Sequence, residues 1–196
     1  MKDKNIGLVI TSPLRRCLQT TMKIFENHPN KPKVVVYPLI KEISSSSCDL
    51  PGDFNEIKKE FPDFDFTLVE QHPAKELWFI DILENEQQKK DIYDELFKLY
   101  PVREDAVKNA AKVVAQKMLE NFPAEEYEAL VDLNKRVTKA KKWLKEKLNE
   151  VKEGEFMAVV THSKVLQSFI AKEYGALGEF IGSRSLVNCE VMEYNL

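Results

Sequence analysis

The sequence predicts an α/β fold, a mainly parallel sheet flanked by helices, and three observations carry that expectation. Two strand-to-helix junctions of one design stand far apart in the chain: LVITSPLRRCLQTT at residues 8–21 and FMAVVTHSKVLQSFIAKEYG at residues 156–175. In each, a short apolar run stops at a serine-bearing turn and gives way to helical spacing. Third, the apolar run VVVY at residues 34–37 follows the first helix closely, as a strand–helix–strand unit requires.

The elements follow in order. IGLVIT, residues 6–11, is the first strand. Ser12 is expected to cap the next helix and Pro13 to open it, because proline brings a fixed φ and has no N–H to leave unpaired. Leu14, Leu18 and Thr21 continue at helical spacing to about residue 26, where HPNKPK breaks the pattern. The second strand, 34–37, ends at Pro38, just before Glu42. Ser44 to Ser47 form a polar run that either touches a substrate or is simply an open loop.

Residues 50–123 read as a mostly helical insertion within one domain spanning 1–196. DFNEIKKEF is a short helix and residues 62–66 a turn. KELWFIDILENE packs Leu77, Trp78, Phe79, Ile82 and Leu83 so densely that core packing is the leading reading, ahead of Trp78 and Phe79 lining a substrate cavity. QQKKDIYDELFKLY carries an apolar stripe of Ile92, Leu96, Phe97 and Tyr100, and Pro101 closes it. Helical spacing resumes through Val107, Ala111, Val114 and Met118, and again from Tyr127 to Leu148, with Gly154 as a helix stop before the strand at 156–160. The alternation in SLVNCEVMEYNL predicts a last strand over 187–193.

Composition narrows the classes. The chain has 196 residues, 43% hydrophobic, which supply one domain with a substantial core. A net charge of −3, from 29 Lys plus Arg against 32 Asp plus Glu, argues against a nucleic-acid or anionic-membrane surface. KAKKWLKEK alternates with glutamate and reads as a solvated helix face. No apolar run approaches a membrane span, and the apolar stretch after MKDKN is too short for a signal peptide. Three scattered cysteines, Cys17, Cys48 and Cys189, point to a reduced, cytoplasmic protein and form no zinc signature, so no metal site is expected.

Both junctions belong at the carboxyl edge of the sheet, where free N–H groups and the positive end of a helix dipole attract anions. Arg15 or Arg16, one turn into the first helix, offers a planar fork for phosphate oxygens. His162, at the end of the later strand, can hydrogen-bond a phosphoryl oxygen or move a proton. A structural histidine is the competing reading.

The two segments together resemble the histidine phosphatase superfamily, in its phosphoglycerate mutase-like branch. TSPLRRCLQTT is similar to the Ser-Pro-Leu-x-Arg-Ala-x-Gln-Thr segment of that family, and VVTHS to its second histidine motif. The resemblance implies that Arg16, three residues before Gln19, binds phosphate together with Ser12. It implies that His162 binds the transferred phosphoryl group within the catalytic pocket. The stretch VVVYPLIKEISSSSCDLPGD resembles the family's second strand and the loop after it, which makes Glu42 the proton donor to the leaving group. An ordinary surface glutamate is the alternative at that position. By the same resemblance the helical insertion is a cap over the pocket. The implied reaction uses arginines and imidazoles in place of a metal and requires no cofactor, and its partner is a phosphorylated small molecule or a phosphoprotein.

The chain also departs from the family pattern. The family's nucleophile is a histidine in an Arg-His-Gly motif ahead of the Ser-Pro-Leu segment. Here eleven residues precede Ser12, none of them histidine, and the motif occurs nowhere in the chain. The expectation is a family member lacking the first strand, N-terminally truncated. His28 and His72, set among prolines and polar residues, are expected in exposed loops. Two functions follow: a phosphate-monoester phosphatase or phosphomutase whose nucleophile is absent from this chain, or a catalytically inactive relative that binds a phospholigand or a partner.

Overall fold

The computed structural model describes residues 3–120 and 127–196. Its centre is a three-stranded parallel sheet in the order β2-β1-β3, formed by β1 (Ile6–Thr11), β2 (Lys33–Val36) and β3 (Phe156–Val160). Helix α1 (Arg15–Phe25) makes the crossover between β1 and β2 that a parallel pair demands. The middle of the chain is helical: α2 (Phe54–Glu60), α3 (Thr67–Glu70), α4 (Trp78–Asp81), α5 (Glu86–Leu99) and α6 (Arg103–Glu120). Helices α7 (Leu130–Leu148) and α8 (Ser163–Ile170) flank β3 in sequence, and a small antiparallel pair, β4 (Glu173–Tyr174) with β5 (Phe180–Ile181), follows. The chain is therefore α/β, with helices on both sides of a parallel sheet.

The register explains the apolar run in β1. Val9 lies opposite Val34 and Ala158, and Ile10 opposite Val35 and Val159. Side chains alternate along a strand, so Val9 and Ile10 leave β1 on opposite faces. Val9 packs with Ile6, Val34, Ala158 and Phe25 of α1. Ile10 packs on the other face with Leu133, Val137, Ala140 and Leu144 of α7 and Val165 and Phe169 of α8. Both are fully buried, and such burial stabilises by about 1.5–3 kcal/mol per side chain. Covered on both faces, the central strand has to be apolar throughout.

The helical middle has a core of its own around Trp78, Ile80, Ile92, Leu96, Ala106 and Ala110, and Leu18 of α1 and Val36 of β2 belong to the same cluster. Trp78 and Phe79 are both buried there, with their rings edge to face. On its far side β2 is extended by an isolated parallel bridge, Val35 to Asp65. The outer edge of β3 pairs with no strand among the described residues.

Several local expectations need correction. Helix α1 starts at Arg15 with Leu14 as its cap residue, so neither Ser12 nor Pro13 takes its expected place. Ser12 is still bound to the sheet, its N–H donating to the carbonyl of Val160 at 3.0 Å. Ser163, the cap that the second junction's spacing predicts, is instead the first residue of α8, and His162 holds the cap position without a side-chain cap bond. No strand forms over 187–193: Val187 and Val191 stay exposed, and Glu190 turns back to pair with Arg184. His28 is buried, not exposed, with Nε2 hydrogen-bonded to the carbonyl of Lys4 at 3.2 Å. Gly154 lies beyond the end of α7, at φ +82°, in the turn that leads into β3. Residues 121–126, which include the expected end of the insertion, lie outside the described residues.

Candidate functional site

The sheet brings two distant junctions to one edge. Thr11 ends β1 opposite Val160, the last residue of β3, so Ser12 and His162 emerge side by side at the carboxyl end. His162 Nε2 lies 2.7 Å from Ser12 Oγ. Arg16, on the first turn of α1, donates from Nε to His162 Nδ1 at 3.2 Å. A guanidinium N–H only donates, so Nδ1 must be the acceptor and the ring proton sits on Nε2, directed at Ser12. Burial, reinforced by the positive charge of Arg16, pushes His162 down to about 3, and the ring is neutral at ordinary pH.

This tautomer decides what the pair can do. A serine nucleophile needs a base that accepts its proton, and Nε2 already carries one. Cys17 offers no substitute: its Sγ lies 3.5 Å from Nε2, but burial raises the thiol to about 12 and keeps it protonated. What remains is a donor array, an imidazole N–H beside an arginine, suited to an anionic oxygen.

Arg16 also faces the loop after β2. Its Nη1 donates to the carbonyl of Cys48 at 2.6 Å, and its Nη2 to Asp49 Oδ1 at 2.9 Å. The other oxygen of Asp49 accepts from Ser45 N (3.3 Å), Ser45 Oγ (3.0 Å), Ser46 N (3.1 Å) and Ser46 Oγ (3.1 Å). Burial opposes the charge on Asp49, but the hydrogen bonds from Arg16 and Ser45 outweigh it and hold the carboxyl below its usual range.

Glu42 sits on the segment that leads into this loop. Its Oε1 accepts from the N–H of Ile43 at 3.0 Å, and the N–H of Lys164 near the start of α8 also bonds the carboxylate. Burial nevertheless raises its pKa, so Glu42 is a carboxyl that holds its proton more readily than a surface glutamate.

The segment is clamped from below by buried charge. Arg136 of α7 donates from Nη1 to the carbonyls of Leu39 and Lys41, both at 2.8 Å, and grips Glu128 through Nε (2.8 Å) and Nη2 (2.9 Å). Glu128 accepts from Ser44 N at 3.0 Å, while Lys41 Nζ donates to Ser44 Oγ at 2.7 Å and to the carbonyl of Glu42 at 2.6 Å. Thr161, beside His162, donates to the carbonyl of Ile40 at 2.8 Å. Arg136, Lys41 and Glu128 are all buried. As long as Glu42 keeps its proton, the cations Arg16, Lys41 and Arg136 outnumber Asp49 and Glu128, leaving the site positive.

Ser12 and Arg16 are thus both hydrogen-bonded to His162, with Glu42 close enough to perturb Cys17 and to be perturbed by Arg16. Arg15 turns away to Glu60, 3.1 Å distant. His28 lies at the opposite end of the sheet, beside Lys4, and His72 lies in the helical middle, 3.7 Å from Asp81. No group of His, Cys, Asp and Glu among the described residues is arranged to hold a metal ion, and no described helix is long and apolar enough to cross a membrane. Sequence reasoning passed over Asp49 and the Lys41–Glu128–Arg136 cluster. Ser46-Ser47-Cys48-Asp49 does spell a capping box, and Arg136 falls on the apolar stripe of Leu133 and Ala140, where a charge calls for a buried partner. No family model, curated protein or solved structure matches the chain.

Proposed function

We propose that this chain carries the phosphate pocket of a phosphate-monoester phosphatase or phosphomutase of the histidine phosphatase superfamily, in the phosphoglycerate mutase-like branch. The observation that carries the reading is the junction of Arg16, Ser12 and His162 at the carboxyl edge of a parallel sheet, two hydrogen bonds joining residues from opposite ends of the chain. In this reading the Arg16 fork takes phosphoryl oxygens, His162 hydrogen-bonds another through Nε2–H, and Glu42, as general acid, gives its proton to the leaving oxygen. The open outer edge of β3, next to His162, suits the additional central strand on which the family places its nucleophile.

Neither His28 nor His72 lies where it could accept a phosphoryl group at this edge. The 196 residues are therefore expected to bind phosphate monoesters without turning them over. That makes the non-catalytic, phospholigand-binding role the behaviour of this chain by itself, and the phosphotransferase the activity of the family pocket once a nucleophile is supplied.

Titration with inorganic phosphate, followed by calorimetry, tests the reading. Arg16→Ala is expected to weaken binding by at least about tenfold, or ~1.4 kcal/mol, and Arg15→Ala to leave it unchanged. Equal affinity of the wild type and Arg16→Ala overturns the proposal. Hydrolysis of p-nitrophenyl phosphate that disappears in His162→Ala would assign His162 itself as the phosphoryl acceptor.

A further inference from the structure

Each of the three nitrogens with which Arg16 would hold a phosphate already donates a hydrogen bond within the protein. Nε is on His162, Nη1 on the carbonyl of Cys48 and Nη2 on Asp49 Oδ1. The pairing is lopsided in exposure: the side chain of Asp49 is 6% accessible and that of Arg16 is 43%. A carboxylate thus fills the inner side of the fork while solvent reaches the guanidinium from outside.

The loop that supplies this carboxylate is built as a unit. Asp49 Oδ2 is bound by Ser45 and Ser46, Ser46 Oγ lies 3.0 Å from Cys48 Sγ, and Asp49 N–H returns to the carbonyl of Ser46. Among the described residues, the hydrogen bonds that leave 45–49 end on Arg16, apart from the one the Leu50 N–H gives to the carbonyl of Ser47. Upstream the chain is fixed at Ser44, between Glu128 and Lys41, and downstream Leu50 packs against the helical core. Residues 45–48 between these anchors are exposed. The loop is thus internally satisfied, fastened at its ends, and attached across the site through one arginine.

We infer that Asp49 is a built-in anion seated in the Arg16 fork, and that a phosphate monoester binds by displacing the 45–49 loop from Arg16. The inference rests on the function proposed above and adds the regulation of that pocket. It also sets the ligand's charge state. A monoanion offers Arg16 nothing that the Asp49 carboxylate does not, whereas a phosphoryl dianion brings twice the charge and three acceptor oxygens to the same fork. The pocket therefore selects dianionic phosphate over carboxylates and over the phosphate monoanion.

The test compares the wild type with Asp49→Asn, which keeps an acceptor oxygen for Ser45 and Ser46 but removes the negative charge that faces Arg16. Both are titrated with inorganic phosphate and with phenyl phosphate, and a thermal melt verifies folding. Asp49→Asn is expected to bind at least tenfold more tightly. A second readout uses only the wild type: the backbone amide resonances of residues 45–49 should shift with the same midpoint as the Arg16 Nε–H resonance. Affinity that is unchanged or lower in a folded Asp49→Asn protein overturns the displacement, and so do loop resonances that stay still while Arg16 saturates. In either case, binding that still depends on Arg16 leaves the phosphate pocket standing. If neither protein responds to phosphate at tens of millimolar, the proposed function fails and the displacement with it.

Discussion

Arg16 and His162 are joined by a 3.2 Å hydrogen bond across 146 positions of sequence, and its direction is fixed by chemistry: the guanidinium donates and Nδ1 receives. The imidazole is thereby held neutral with its proton on Nε2. Ser12 receives that proton's hydrogen bond at 2.7 Å, so three side chains from two junctions act as one donor array. The array has the donors that an anion's oxygens would need, and it leaves the serine without a base.

Acid should reveal the neutral ring. A histidine held at about 3 when folded, against 6.5 in the unfolded chain, binds fewer protons folded than unfolded between those values. Its contribution is fully present above pH 6.5 and is lost as pH falls from 6.5 towards 3, amounting to on the order of 4 kcal/mol at the low end. Urea midpoints measured from pH 7 to 4 should fall more steeply for the wild type than for His162→Asn. The Hε1 resonance of His162 should keep its neutral position to pH 5. A ring that titrates near pH 6.5 would contradict the Arg16 contact.

Glu42 should show the opposite sign. Its folded pKa is raised, so folding is penalised once the unfolded carboxyl has ionised and is not penalised below about pH 4, where both states hold the proton. Glu42→Gln keeps one acceptor oxygen, for the N–H of Ile43, and removes the charge. It is expected to raise the urea midpoint at pH 7 and to give no gain at pH 3.5. A lower midpoint at pH 7 would mean that the carboxylate is stabilised where it sits.

The buried Arg136–Glu128 pair should be costly to break. Arg136→Met leaves Glu128 with only Lys41, 4.0 Å away, to balance its charge, and strands the carbonyls of Leu39 and Lys41. The expected loss is about 3–5 kcal/mol, a large part of a typical domain's stability. Adding Glu128→Gln to Arg136→Met should recover part of it, because the uncompensated carboxylate is then gone. Chemical denaturation of the single and double variants measures this, and a loss under about 1 kcal/mol for Arg136→Met would show that the charges are solvated.

The sequence by itself determined the α/β class, the strands over 6–11 and 156–160 and most helices, because burial on both faces of a parallel strand and on one face of a helix leaves a periodic apolar trace. It also singled out Arg16, Ser12, Glu42 and His162 by the company they keep in short motifs. Tertiary structure decided everything that depends on what lies across the site. Ser12 loses its expected capping position because the neighbouring strand holds its N–H and the helix begins only at Arg15, while its hydroxyl is shared between His162 and the Leu14 N–H. The alternating tail at 187–193 forms no strand, since alternation supplies a face but does not by itself bring the segment to a ladder. Asp49 on Arg16, and Glu128 beside Lys41, are pairings between charges remote in sequence. A single charge leaves no periodic trace, and only folding brings its partner within reach.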